Sequence, residues 1–128
     1  MFMDKKDKDF MNYLKEMIRF LSSDSYTQQQ MYPKEILWNI ADDVANEWDY
    51  EYFKVPIQNL IDSGAITIDI AQKFKTICDK FGDVSLNGNQ YDPSIWTLEG
   101  FSNHPFWQRQ RELAKQLSNE FEKTALNE

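Results

Sequence analysis

The stretch Ile36 to Phe53, ILWNIADDVANEWDYEYF, joins a helical stripe to a lopsided charge, and both restrict what the chain around it can become. At roughly 100° per residue, Leu37, Ala41, Val44 and Trp48 fall within about 40° of one line, the buried stripe of an amphipathic helix. Glu35, Asn39, Asp42, Asp43, Asn46, Glu47 and Asp49 fall on the far side. Read as one helix, the segment carries its carboxylates in its C-terminal half, where the macrodipole favours cations by about 0.3–1 kcal/mol per charge. Asp43 and Glu47 also form a like-charge i,i+4 pair, which costs roughly 0.2–0.5 kcal/mol. A local rule broken without compensation marks a candidate site.

The charge is concentrated there. Of the 21 acidic residues in the 128-residue chain, five (Asp42, Asp43, Glu47, Asp49, Glu51) lie in this stretch, which holds none of the 14 basic ones. A negative patch in a chain of net charge −7 is a poor match for nucleic acid or anionic lipid, whose phosphates call for Lys and Arg. A basic protein partner fits it better. The 41% hydrophobic content supports a packed core, and the length suits one domain spanning residues 1–128. One cysteine, Cys78, excludes an internal disulfide and agrees with a reducing compartment. No apolar run has signal-peptide or membrane-span length, so the expected location is cytoplasmic and away from the membrane.

Taken in order, residues 1–8 are charged and expected to fray, after which Phe10, Leu14, Met17, Ile18 and Leu21 mark a helix ending near Ser22. Thr27 and Gln30 have capping-box spacing in the linker, and Pro33 suits the first position of the acidic helix. That helix is expected to stop before Pro56, which opens a third helix closed by Gly64. AITIDI alternates like a strand, but the longer pattern of Ile70, Ala71, Phe74, Ile77, Cys78 and Phe81 predicts a helix over 67–81. Asn87-Gly88 predicts a small hairpin in 83–92. Asp92 caps a short helix closed near Gly100, and Asn103 caps a last helix buried through Phe106, Gln110, Leu113, Ala114, Leu117 and Phe121. Arg109, Arg111, Glu112 and Lys115 fall mostly off that face. The fold class is therefore all-α, a single-domain bundle of about five to six helices with a minor hairpin near residues 83–92.

Catalytic chemistry finds little footing. His104, the one histidine, has no placed Ser, Cys or carboxylate partner and reads as a packed or capping residue. Cys78 lies on a core face with no cationic neighbours, and the four glycines are scattered rather than clustered into a phosphate loop. Asp43 and Glu47 have the spacing of two metal ligands, yet the Glu-x-x-His motif of carboxylate bundles is missing. Trp38, Trp48, Trp96 and Trp107 are expected in the core. Tyr50 and Tyr52, alternating with Asp49 and Glu51, suit an interface in which tyrosines fill pockets and acids pair with a partner's Lys or Arg.

SIWTLEGFSNHPFWQRQRELAKQL resembles the C-terminal part of small helical immunity proteins encoded beside bacterial toxins, including those of contact-dependent growth inhibition. The likeness runs over roughly residues 57–117 and lies in scattered tryptophans and a Trp-Leu-Glu helix before a longer one starting at Pro105-Phe106-Trp107. It implies an inhibitor without catalysis or cofactor, bound to a cognate protein toxin, often a nuclease with a basic cleft. The expected partner-binding set is Asp42, Asp43, Glu47, Asp49, Tyr50, Glu51 and Tyr52. The alternatives are a helical assembly module that self-associates and a carboxylate-bundle metalloenzyme.

Overall fold

The structure, a computed structural model, describes residues 4–126. Among these the chain forms seven α-helices, α1 (Lys5–Ser22), α2 (Ser25–Gln30), α3 (Ile40–Glu47), α4 (Tyr50–Asp62), α5 (Ile68–Asp83), α6 (Leu98–Asn103) and α7 (Pro105–Leu126). Two 3₁₀ turns, Lys34–Asn39 and Pro93–Trp96, precede α3 and α6. No strand occurs among the described residues, so the all-α class holds. The hairpin expected at 83–92 is instead a run of turns closed by Gly88 N–H to Ser85 O and Gln90 N–H to Asp83 O.

Helix α1 packs along α7, α7 on α5, α5 on α4 and α4 back on α1, which closes a ring around one core. Helix α1 contributes Leu14, Ile18 and Leu21, all fully buried, each worth about 1.5–3 kcal/mol against exposure. Its ends are fixed locally. Asp4 accepts the Asp7 N–H, so the helix starts at Lys5; of the segment 1–8 expected to fray, residues 1–3 lie outside the described residues.

Aromatic rings fill two connected zones. Trp107, fully buried, has Phe101, Phe81, Phe106 and Trp96 within 4.7–6.3 Å between ring centroids, and its indole N–H donates to Ile95 O. Trp48 lies 5.0 Å from Phe74, which meets Phe53 edge-on at 5.3 Å. Trp38 departs from the expectation of a core residue. It sits in the 3₁₀ turn and is 70% exposed.

Several boundaries also differ from expectation. The acidic stretch is not one helix: Ile36 (φ −120°, ψ 17°) keeps its start in a 3₁₀ turn, and Trp48 (φ −95°, ψ 42°) ends α3. Helix α4 then begins at Tyr50, six residues before Pro56, which sits inside it. Pro56 brings no N–H to the Tyr52 carbonyl, a loss accepted on the face where Tyr52 and Val55 are open to water. At its far end α4 stops as expected, with Gly64 at φ 80°, Ala65 N–H on Leu60 O and Gly64 N–H on Ile61 O.

Helix α5 starts at Ile68 under a Thr67 cap and runs two residues past Phe81. Asp92 caps only the 3₁₀ turn, whereas Thr97 caps α6. Gly100 does not end α6. It lies mid-helix, where a Cβ would stand 1.8 Å from the Ser94 carbonyl oxygen. Arg111, expected off the core face of α7, is buried at 8% exposure.

Candidate functional site

The elbow between α3 and α4 sets the geometry of the acidic segment. Trp48 N–H bonds back to Ala45 O, its ring is pinned on Phe74 of α5, and Asp49 caps α4 by accepting the Glu51 N–H at 3.1 Å. Splitting the segment in two changes the meaning of its charges. Asp42 and Asp43 fall in the first turn of α3, Asp49 and Glu51 at the start of α4, and at both places the helix dipole favours anions. The expected conflict with the macrodipole survives only at Glu47. Partial desolvation and the charge of Asp43 push the Glu47 carboxyl above the usual range.

Beyond the elbow the chain frames an open groove of about 810 Å³ between the end of α3, the start of α4 and the C-terminal half of α5. Four exposed carboxylates line it, Asp49 and Glu51 from α4 and Asp79 and Asp83 from α5, against aromatic surface from Trp48, Tyr50, Phe81 and Trp96. Lys75 is the one cation on its wall among the described residues. Its Nζ lies 2.8 Å from Asp79 Oδ2 and 5.4 Å from the centre of the Tyr50 ring, and the hydrogen bond to Asp79 raises the Lys75 pKa. Cys78 also lines the groove, but burial pushes its thiol up to about 12, so it presents no thiolate.

The seven residues singled out from the sequence do not share one face. Asp49, Tyr50 and Glu51 line the groove, with Glu51 also paired to Lys54 at 2.9 Å. Glu47 faces a hollow of about 320 Å³ bounded by Tyr13, Met17, Phe20, Met31 and Tyr32. Asp43 is half-buried and accepts hydrogen bonds from the Tyr32 hydroxyl and from Asn39 Nδ2 at 2.9 Å. Asp42 is exposed, and Tyr52, 78% exposed, lies in neither cavity.

Ion pairs among the described residues join Lys54 to Glu51, Lys73 to Asp69 and Glu120, Lys75 to Asp79, and His104 to Asp92. The cations of α7 therefore do not neutralise the acidic segment. Asp79 and Asp83, which complete the groove, were missed in the sequence. Their signal was present, since they are an i,i+4 acidic pair off the core face of α5.

His104 is a structural cap. Its Nδ1 accepts the Phe106 N–H at 3.0 Å, which places the proton on Nε2, and Nε2 faces Asp92 Oδ2 at 3.2 Å. Both ring nitrogens are thereby engaged. Among the described residues no three His, Cys, Asp or Glu side chains gather as a metal site, and no helix is long and apolar enough to cross a membrane. Set against protein-family models, curated proteins and solved structures, the chain returns no match.

Proposed function

We propose that this chain is an immunity protein, a cytoplasmic and non-catalytic inhibitor that binds a cognate protein toxin and neutralises it. The toxin is a nuclease whose basic cleft receives the acidic groove, as in systems of the contact-dependent growth inhibition type. The observation that carries this reading is the groove itself, where Asp49, Glu51, Asp79 and Asp83 line the walls and acids stay in excess although Lys75 pairs with Asp79 and Lys54 with Glu51. Carboxylates beside the half-buried rings of Tyr50 and Trp96 match the two things a Lys- and Arg-rich surface can use, ion pairing and cation–π contact. The acids Asp42, Asp43 and Glu47 extend the negative field along α3 and steer a basic partner toward the elbow.

The test is capture of the product of a toxin gene neighbouring its own. Capture is expected at about 0.1 M salt and should weaken toward 1 M, as charges between exposed groups are screened. Failure to capture at low salt contradicts the proposal. A second reading, self-association as an assembly module, is favoured by the exposure of Trp38 beside Ile36 in the 3₁₀ turn. Sedimentation separates the two, since an inhibitor with a free groove runs as a monomer until the toxin is added.

A further inference from the structure

The acidic groove and the hollow of about 320 Å³ that Glu47 faces share a single lining residue among those described, Trp48. The hollow opens between α1, the end of α2 and α3. Its inner lining is apolar and closed to water, with Met17, Val44 and Trp48 all buried. Its rim is apolar and open, with Tyr13 46% and Met31 66% exposed. Exposed tyrosine and methionine suit contact with another protein, since both carry much apolar surface and a thioether adapts its shape to what it meets.

The charge decides what such a protein brings. Glu16 of α1 and Glu47 of α3 line the hollow, and no Lys, Arg or His does so among the described residues. Neither carboxylate joins an ion pair among the described residues. Asp43, one turn before Glu47, is held by the Tyr32 hydroxyl and Asn39 Nδ2, and partial desolvation together with its charge keeps the Glu47 carboxyl above the usual range. A cation arriving here therefore offsets a repulsion as well as gaining an attraction. The occupant needs an apolar stem for the walls and a positive head for the two acids. An ammonium, with three donors free to turn, can be shared between carboxylates on two helices, whereas a planar guanidinium matches one carboxylate as a fork.

We propose that the hollow receives a lysine side chain of a basic protein partner, its stem against Met17, Phe20 and Met31 and its ammonium between Glu16 and Glu47. This rests on the partner-binding reading above and adds a second anchor to it, next to the groove.

The experiment is an NMR titration of the full chain, with the methionine methyls as reporters, against n-butylammonium, which is the lysine side chain itself, and in parallel against n-butanol and n-propylguanidinium. Expected are saturable shifts of the Met17 and Met31 methyls, with n-butylammonium binding about tenfold more tightly than n-butanol and more tightly than n-propylguanidinium. Glu16→Gln and Glu47→Gln, both at exposed positions, should each weaken n-butylammonium by about threefold and leave n-butanol unchanged. Absence of saturable shifts, n-butanol or n-propylguanidinium binding as tightly as n-butylammonium, or unchanged affinity in both variants overturns the proposal. No toxin enters this titration, so a failed toxin capture with n-butylammonium bound contradicts the inhibitor reading alone, and toxin capture without n-butylammonium binding contradicts the lysine site alone.

Discussion

Arg111 of α7 donates its Nε–H to Gln28 Oε1 of α2 at 2.9 Å, and both side chains are buried. Gln28 in turn donates from Nε2 to Phe20 O and Leu21 O, the last carbonyls of α1, and Arg111 Nη2 donates to Phe101 O at 2.5 Å. One guanidinium thus connects α7, α2, α1 and α6. It lies 4.8 Å over the Phe101 ring, and although burial lowers its pKa to about 10 it stays charged at neutral pH.

Replacing Arg111 by Met keeps the stem and removes the donors, leaving Gln28 Oε1 and Phe101 O without the donors they have now. We expect a loss of about 1–3 kcal/mol for each stranded acceptor, read by denaturant unfolding. Arg111→Lys should recover only part of it, since an ammonium lacks the planar fork that reaches both acceptors.

Glu47 supplies the opposite case, a charge that the fold disfavours. Its pKa is raised in the folded state, so the ionised form costs stability, and that cost is present once pH has risen through the folded value. Glu47→Gln should therefore stabilise the protein at neutral pH by about 0.2–0.5 kcal/mol, the scale of its clash with Asp43. The gain should fade in acid, where the glutamic acid is neutral as well. Thermal melts of the two proteins across pH measure it.

Asp92 has the reverse sign. Hydrogen bonds from the Ser94 side chain and backbone, and then from His104, hold its carboxyl below the usual range. A depressed folded value means stability that is present above the unfolded pKa, near 3.9, and lost as pH falls through the folded one. Asp92→Asn should lower the melting temperature at neutral pH, and the difference from wild type should close in strong acid.

Gly100→Ala tests the packing of α6 on the preceding 3₁₀ turn. A Cβ there would meet the Ser94 carbonyl oxygen at 1.8 Å, and because that obstacle is backbone the two elements must separate. We expect a loss of about 1–3 kcal/mol in chemical denaturation, the usual range for overpacking. Gly82→Ala, with nothing near the added methyl, serves as the control.

These contacts show what was legible in the chain. The α1 stripe, the Thr67 start of α5 and the Gly64 stop of α4 follow from period and cap chemistry, which act within a few residues, and each is in place. The elbow at Trp48–Asp49 was not legible, because Asp49 as a helix cap looks the same in sequence as one more acid on a continuous face. Only the seating of Trp48 on Phe74, 26 positions further on, decides between them. Pro56 misled for a related reason, since local geometry argues for a helix start there while packing of Phe53, Ile57 and Leu60 carries α4 through it. Arg111 shows periodicity failing on chemistry, because the partner that buries it lies on α2. The groove needed Asp79 and Asp83 beside Asp49 and Glu51, a meeting of α4 and α5 that no local pattern announces.

The measurement closest to the central claim is the association rate of the chain with its cognate toxin as a function of ionic strength, for the wild type and for Asp79→Lys/Asp83→Lys. A basic partner steered to the acidic groove should associate about 10- to 1,000-fold faster at low salt than when its charges are screened, and the reversal should abolish most of that acceleration without unfolding the protein. A rate indifferent to salt, and unchanged by turning both carboxylates into ammonium groups, would contradict it.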